Sequence, residues 1–246
     1  MKIIEAFAVK NKCYQAGAPL TPRGIMLHSV GTPQPSAAVF ARSFNQYQPG
    51  GVSVCVHAFA QADGTVYQTL PWEMRGWHCG GSANSTHIGV EMTEPSAGMT
   101  RSEAAEQIAG TYRTVVELFA ELCKQYELDP AQDGVIIGHA EGHRRGVASN
   151  HADPDYLWGA YSMGYTMDGF RRDVAEAMKN GAREEALDMP RYDSVAEMPQ
   201  WARADAQRLI DRGVLSGVGN GKLDLSLDMI RTMIVCQRML DEQKET

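Results

Sequence analysis

Apolar residues recur along this chain at two different spacings. Ile25-Met26-Leu27 is a short apolar run after Pro22 and Gly24, and Ser29-Val30-Gly31 closes it with a turn signal. That pattern predicts a buried strand with His28 at its C-terminal end. The chain from Pro33 starts as a loop, and a short helix is expected over Ala37 to Phe44. Further on, Val52, Val54, Val56 and Ala58 alternate with Ser53, Cys55, His57 and Phe59. Asp63-Gly64 is a turn dipeptide, and Thr65-Val66-Tyr67 starts a return strand, so a hairpin is expected. His87 to Met92 alternates again, with Ile88, Val90 and Met92 on one face and Gly89 and Glu91 on the other.

The spacing then becomes helical. Thr100 and Glu103 fit a capping box. Ile108, Tyr112, Val115, Leu118, Phe119 and Leu122 follow at helical intervals, predicting a helix that ends near Leu128, ahead of Asp129-Pro130. Val135-Ile136-Ile137 reads as a short buried strand running into His139. Met167 to Met178 predicts another helix, with Phe170 and Val174 on one side. Residues 180 to 195 are charged and contain Gly181 and Pro190, which predicts a linker over 181–193 between a main domain, 1–180, and a small helical module, 194–246. In that module Pro199 fits a first-turn proline, Trp201, Ala204, Leu209 and Ile210 mark an apolar face, and Gly213 marks a helix end. A second helix is expected from about Ser226 to Leu240. Its apolar Met229, Ile230, Met233, Ile234 and Val235 favour burial against a partner.

Composition narrows the function more than the fold. The 246 residues suffice for one good core and a small appendage. A formal net charge of −7 argues against nucleic acid as a partner, because phosphate contacts need a basic face. A sugar-rich or zwitterionic substrate stays open. No stretch reaches the roughly 18 apolar residues of a membrane helix. The start, MKIIEAFAVKNKCYQAG, has a short apolar part broken by Glu5, Lys10 and Lys12, unlike a secretory signal. The expectation is synthesis in the cytoplasm, with no export signal and no membrane partner. Cys13, Cys55, Cys79, Cys123 and Cys236 are widely spaced, with no CxxC, and read as free, mostly buried thiols; Cys79, beside His78, stays open to another role.

The chemistry concentrates in residues 138 to 158, GHAEGHRRGVASNHADPDYLW. Catalytic zinc commonly takes three protein ligands and keeps one position open. His28 and His139 each end a strand and can point to one end of a sheet, and His151-Ala152-Asp153 returns toward them. His28, His139 and Asp153 can thus form a three-ligand set. Spacing alone does not choose between His151 and Asp153 as the third ligand, nor does it settle His143. A helix over 139–143 would put His139 and His143 on one face, and Gly138 and Gly142 argue against such a helix. Zinc lowers the pKa of bound water. A hydrolase also needs a proton shuttle, usually a carboxylate. Glu91, ionisable within a strand of apolar and small residues, suits that role, and His151 is placed to act on a developing oxyanion. The plainer reading is structural: a lone histidine after an apolar strand is usually a packed one, and His57 and His87 read that way.

The order of these motifs resembles the type 2 N-acetylmuramoyl-L-alanine amidases, the family related to peptidoglycan recognition proteins. The resemblance runs from about Gly24 to Phe170. GIMLHSVG is similar to the first ligand strand, VHAFAQADGTVYQTLP to the central hairpin, RGWHCGG to the tryptophan-histidine motif, and NSTHIGVE to the strand of the catalytic glutamate. VIIGH and HADPD resemble the second and third ligand segments. LPWEMRGWHCGGSAN and HRRGVASNHADPDYLW are similar to endolysins of phages and prophages of clostridia-like Gram-positive bacteria.

The resemblance implies an α/β fold with a central mixed β-sheet flanked by helices. It implies Zn2+ on His28, His139 and Asp153, with Glu91 as the acid/base carboxylate. Many members carry a lysine two residues before the last ligand, and here that position is His151, a cation only near or below its pKa. Val56 stands where some members carry a tyrosine. Trp77, His78, Asn84 and Thr86 are expected to line the substrate groove. The implied reaction is hydrolysis of the amide between the muramic acid lactyl group and L-alanine in peptidoglycan, by an endolysin released through a holin. Two other readings are a non-catalytic peptidoglycan-binding protein and a cytoplasmic amidase that recycles muropeptides. PQWARADAQRLIDRGVLSG and LSLDMIRTMIVCQRML resemble half of a surface-layer-homology module, which implies wall attachment, packing on the enzyme, or a homodimer formed through the C-terminal helices.

Overall fold

The computed structural model describes residues 1–46, 54–188, 191–218 and 222–242. The chain divides into two compact units, residues 1–180 and 181–246. Among the described residues no helix is long and apolar enough to cross a membrane.

The first unit is built on six strands: β1 (Lys2–Glu5), β2 (Gly24–Ser29), β3 (Ala58–Ala60), β4 (Thr65–Gln68), β5 (His87–Met92) and β6 (Ile136–Gly138). Their order across the sheet is β1-β4-β3-β5-β2-β6. β3, β5, β2 and β6 run parallel, and β4 with β1 runs against them. Helices α1 (Lys12–Ala16), α2 (Ala37–Phe44), α3 (Arg101–Gln125), α4 (His139–Arg144), α5 (Asp155–Ala160) and α6 (Met167–Asp188) complete this part of the chain.

One face of the sheet carries the main apolar core. Ile25 and Leu27 of β2, Ile88, Val90 and Met92 of β5 and Ala58 and Ala60 of β3 share a core with Ile108, Val115, Leu118 and Phe119 of α3 and Phe170 and Val174 of α6. The period-2 reading of β5 therefore holds, with Glu91 on the opposite face. That face carries Phe59, packed with Phe40 and Phe44 of α2, and Met26, packed with Cys79 and Ala83.

Several elements differ from the sequence expectation. β1 was not foreseen; it pairs in parallel with β4, and only that partner marks it as a strand. The expected hairpin is a three-pair ladder, Ala58 to Ala60 against Val66 to Gln68, turning at Gly64 with φ 83°. Val52 and Ser53 lie outside the described residues. Cys55 bonds instead to Trp77, N to O at 3.1 Å and O to N at 2.9 Å. Both alternating sets from Cys55 to Ala60 are buried, because β3 lies inside the sheet. Residues 139–144 are helical despite Gly138 and Gly142. Gly142 is there for space: a Cβ would fall 2.9 Å from Met26 Cε and 3.0 Å from the Ala148 Cβ. α6 runs on to Asp188 where a linker was expected, since one glycine among good helix formers does not break a helix. Pro190 lies outside the described residues.

The second unit holds β7 (Arg191–Tyr192), antiparallel to β8 (Leu225–Ser226), with α7 (Gln200–Asp211) and α8 (Leu227–Glu242). Pro199 sits at the N-cap of α7 rather than in its first turn. The buried face of α7 is Ala202, Ala206 and Leu209; Trp201 is 49% exposed, Ala204 is exposed and Ile210 is half-buried. Leu209 is buried as expected, while Ala202 and Ala206, one turn apart, take the packed positions expected of Trp201 and Ala204. On α8, Ile230 and Ile234 are buried, one turn apart, while Met229 and Val235 are exposed. Gly213, φ 71°, ends α7 as expected.

Candidate active site

The site lies at the carboxyl ends of β2, β5 and β6, where parallel strands open onto a crevice. His28 is the penultimate residue of β2, and its register partner on β5 is Glu91. Partners across parallel strands project from the same face, so the two side chains enter one cleft. His139 follows β6 directly as the first residue of α4. Asp153 returns just ahead of α5, and Ala140 N–H, donating to Asp153 O at 3.0 Å, ties the two segments together. The cleft encloses about 710 Å³.

His28, His139 and Asp153 are all buried, and their ligand atoms lie within 4.8 Å of one another. His28 Nδ1 is 3.1 Å from Asp153 Oδ2 and 3.0 Å from His139 Nδ1. His139 Nδ1 is 3.6 Å from Asp153 Oδ1. Two imidazole nitrogens and a carboxylate are the donor set of a catalytic zinc site with one open position. A tetrahedral ion with ligand distances of about 2.0–2.1 Å separates its donors by roughly 3.3 Å, close to these three edges. Burial lowers the His28 pKa and so favours the neutral, ligating ring. The residues present fit zinc.

Glu91 adds to that fit. Its Oε2 is buried without a hydrogen-bond partner. Burial pushes its carboxyl well above the usual range, and the charges of Asp153 and Glu94 push the same way. Carboxylates crowded against one another in this manner favour a cation between them.

His151 stacks on His139, ring centroids 4.5 Å apart and planes at 20°. Its side chain is 61% exposed, and its Nδ1 is 4.0 Å from Asp153 Oδ1. Of the two candidates left open by spacing, Asp153 is the one within the buried group. His143 is exposed, away from it.

The four expected groove residues divide. Trp77 lines the cleft. His78 also lines it, but its Nδ1 faces His28 Nε2 at 2.9 Å. Asn84 reaches the cleft too, with Oδ1 accepting from His78 N–H at 2.9 Å, Cys79 N–H at 3.0 Å and Cys79 Sγ at 3.2 Å. Thr86 is not in the lining; its hydroxyl donates to His87 Nδ1 at 2.8 Å. Cys79 is buried, like Cys13, Cys55 and Cys123, and Cys236 is exposed.

His57 and His87 are structural. His57 Nε2 donates to Met74 O at 2.8 Å and its Nδ1 accepts from Gly89 N–H at 2.9 Å. Burial lowers its pKa to about 4, so it stays neutral. His87 Nε2 donates to Gly134 O at 2.9 Å. Sequence reading missed Ser29, Arg75, Ser149 and Tyr156 in the cleft lining. Tyr156 donates to Glu94 Oε1, which also accepts from Gly31 N–H at 2.8 Å. Its one sequence signal is its place, three residues past Asp153 at the start of α5.

Comparison with known proteins bears on the family and the fold. Residues 18–156 match the family model described as N-acetylmuramoyl-L-alanine amidase. No curated protein matches the chain in a direct sequence search. Among solved structures, the chain is similar to Staphylococcus aureus hydrolase AmiA in complex with its ligand, at 21% identity and TM-score 0.56, covering 74% of this chain and 86% of that one. It is similar to the catalytic domain of XlyA, at 23% identity and TM-score 0.54, covering 71% and 99%. A mutant endolysin from Bacillus subtilis aligns at 22% identity and TM-score 0.50, again over 71% and 99%. At these identities the likeness carries the fold, and the match over more than half of the sequence carries membership. The chain belongs to the N-acetylmuramoyl-L-alanine amidase family.

Proposed function

We propose that this protein is a zinc-dependent amidase that hydrolyses the bond between the lactyl group of N-acetylmuramic acid and L-alanine in peptidoglycan. The observation that carries the reading is the convergence of His28, His139 and Asp153, all buried, in a cleft that also takes in Glu91. Zn2+ held by these three residues would supply the Lewis acidity that activates water and polarises the scissile carbonyl. Glu91 would take the proton of the attacking water and pass it to the leaving amine. Its Oε2, buried and unpartnered, gives up no existing hydrogen bond in doing so. His151, exposed beside the cleft, would donate a hydrogen bond to the carbonyl oxygen as negative charge builds there. Trp77 offers a flat wall for the substrate.

The biological role we infer is that of a phage or prophage endolysin, made in the cytoplasm and acting on the wall after holin-dependent release. The resemblance of its motifs to such endolysins supports this. The C-terminal unit would serve wall attachment or homodimerisation, a reading supported by the exposed Trp201, Met229 and Val235.

The test is digestion of purified Gram-positive walls, with new ends identified by mass spectrometry. Glu91→Ala and a chelator-treated sample run alongside. Stem peptides beginning with free L-alanine, absent from both controls, are expected. Wall binding with no new ends would place the protein among non-catalytic binders. New reducing sugar ends would mean that the bond is misassigned.

A further inference from the structure

A histidine gives a metal one nitrogen, and the partner of the other nitrogen decides which one. Both histidines of the triad have such a partner. His78 Nε2 lies 3.1 Å from the carbonyl oxygen of His87, which only accepts, so this nitrogen carries the proton of His78. His78 Nδ1 is then an acceptor, and it faces His28 Nε2 at 2.9 Å. The proton of His28 sits on Nε2, and its Nδ1 turns a lone pair toward Asp153.

The second chain of hydrogen bonds is built differently and ends in the same state. Ser149 Oγ donates its single proton to Cys79 O at 3.0 Å, and Ser149 N–H donates to the same oxygen at 2.8 Å. The hydroxyl oxygen is left to accept from His139 Nε2, at 3.3 Å. His139 Nδ1 therefore also presents a lone pair. The two Nδ1 atoms are 3.0 Å apart, with no proton between them and a carboxylate beside them. A histidine–histidine hydrogen bond needs one donor, and this arrangement has none. Three electron pairs converge on one point, an arrangement that a cation held there would stabilise further.

Both chains end on carbonyls of one segment, Cys79 and His87. Asn84 braces it through the three bonds its Oδ1 accepts. Glycines clear the space for both side chains. A Cβ on Gly89 would fall 2.5 Å from His78 Cγ, and one on Gly80 would lie 3.1 Å from Ser149 Oγ.

We propose that His78 and Ser149 are positioning residues that fix His28 and His139 as Nδ1 ligands. The turn from Trp77 to His87 then serves as the scaffold of the metal centre, and not only as a wall of the groove. This rests on the zinc reading above, and the experiment separates the two. In the full-length, metal-free protein with 15N-labelled histidine, two-bond 1H–15N spectra report the protonated nitrogen of each ring. His28 and His139 are both expected in the Nε2–H form before zinc is added; an Nδ1–H ring at either position overturns the proposal. Zinc dissociation constants are then measured by competition with a chromophoric chelator, after circular dichroism has shown each metal-free variant to be folded. Ser149→Ala and His78→Leu are expected to weaken zinc binding about 10–100-fold, with recovery in Ser149→Thr and His78→Gln, which keep an acceptor. Unchanged affinity in the folded Ala and Leu variants overturns the proposal. A wild-type protein that binds no zinc would overturn the zinc reading instead, and the ring spectra would still decide the tautomers.

Discussion

Replacing the carboxyl of Glu91 by an amide separates two effects of one residue. Glu91→Gln keeps the shape and removes the proton shuttle, so wall hydrolysis is expected to fall about 10²–10⁴-fold. The same change should stabilise the metal-free protein. Burial raises the folded-state pKa of Glu91, so the folded chain holds a proton that the unfolded chain gives up near pH 4.3 or so. Stability from this group is complete below the unfolded value and is lost as pH rises toward the folded one. Thermal unfolding with chelator at pH 5 and pH 8 should show the advantage of Gln growing with pH. An equal melting temperature for both proteins at pH 8 would remove the electrostatic account of Glu91. At this scale His28 and His139 were legible because an ionisable residue at the end of an apolar run stands out, and Glu91 because it interrupts one. Ser149 and Tyr156 were not, because their partners, Cys79 O and Glu94, are 70 and 62 residues away.

Helix ends show how far local pattern reaches. The capping box of α3 was legible and forms as read: Thr100 N–H donates to Glu103 Oε2 at 2.8 Å, and Glu103 N–H donates to Thr100 Oγ1 at 3.3 Å. Its C-terminus comes earlier than Asp129-Pro130 implied. Glu127 adopts a left-handed conformation, φ 53°, and Leu128 N–H donates to Cys123 O at 2.8 Å. Glycine is the residue suited to that position. Glu127→Gly, at an exposed site, should stabilise the protein by about 1 kcal/mol and raise its melting temperature by about 2–4 °C. A lower melting temperature would mean that side-chain contacts of Glu127 outweigh its backbone strain. α4 and α7 carry the opposite lesson. Gly142 and Ala202 look like weak helix or core residues in sequence, yet a Cβ on Gly142 would run into Met26 and Ala148, and Ala202 is fully buried.

All three candidate ligands, and Glu91, belong to the first unit. A metal that binds only the folded state should therefore stabilise that unit by mass action. Zinc at about 100 times its dissociation constant adds roughly 2.7 kcal/mol, worth about 5–10 °C. Thermal unfolding followed by tryptophan fluorescence, to which Trp72, Trp77 and Trp158 of this unit contribute, should shift upward with zinc and return with chelator. The Asp153→Ala protein should not shift. A shift of the same size in Asp153→Ala would place the stabilising metal elsewhere.

The sequence by itself determined the long helices, the strand that carries Glu91 and the residues whose chemistry stands out. Those features depend on periodicity and on side-chain type, which are properties of short windows. Only the tertiary structure decided that β1 is a strand, that Trp201 faces out of α7 while Ala202 faces in, and that Asp153 rather than His151 joins the buried triad. It also decided that His78 serves His28. Each of these depends on which surface approaches from elsewhere in the chain, and burial and hydrogen bonding across such contacts leave no local trace.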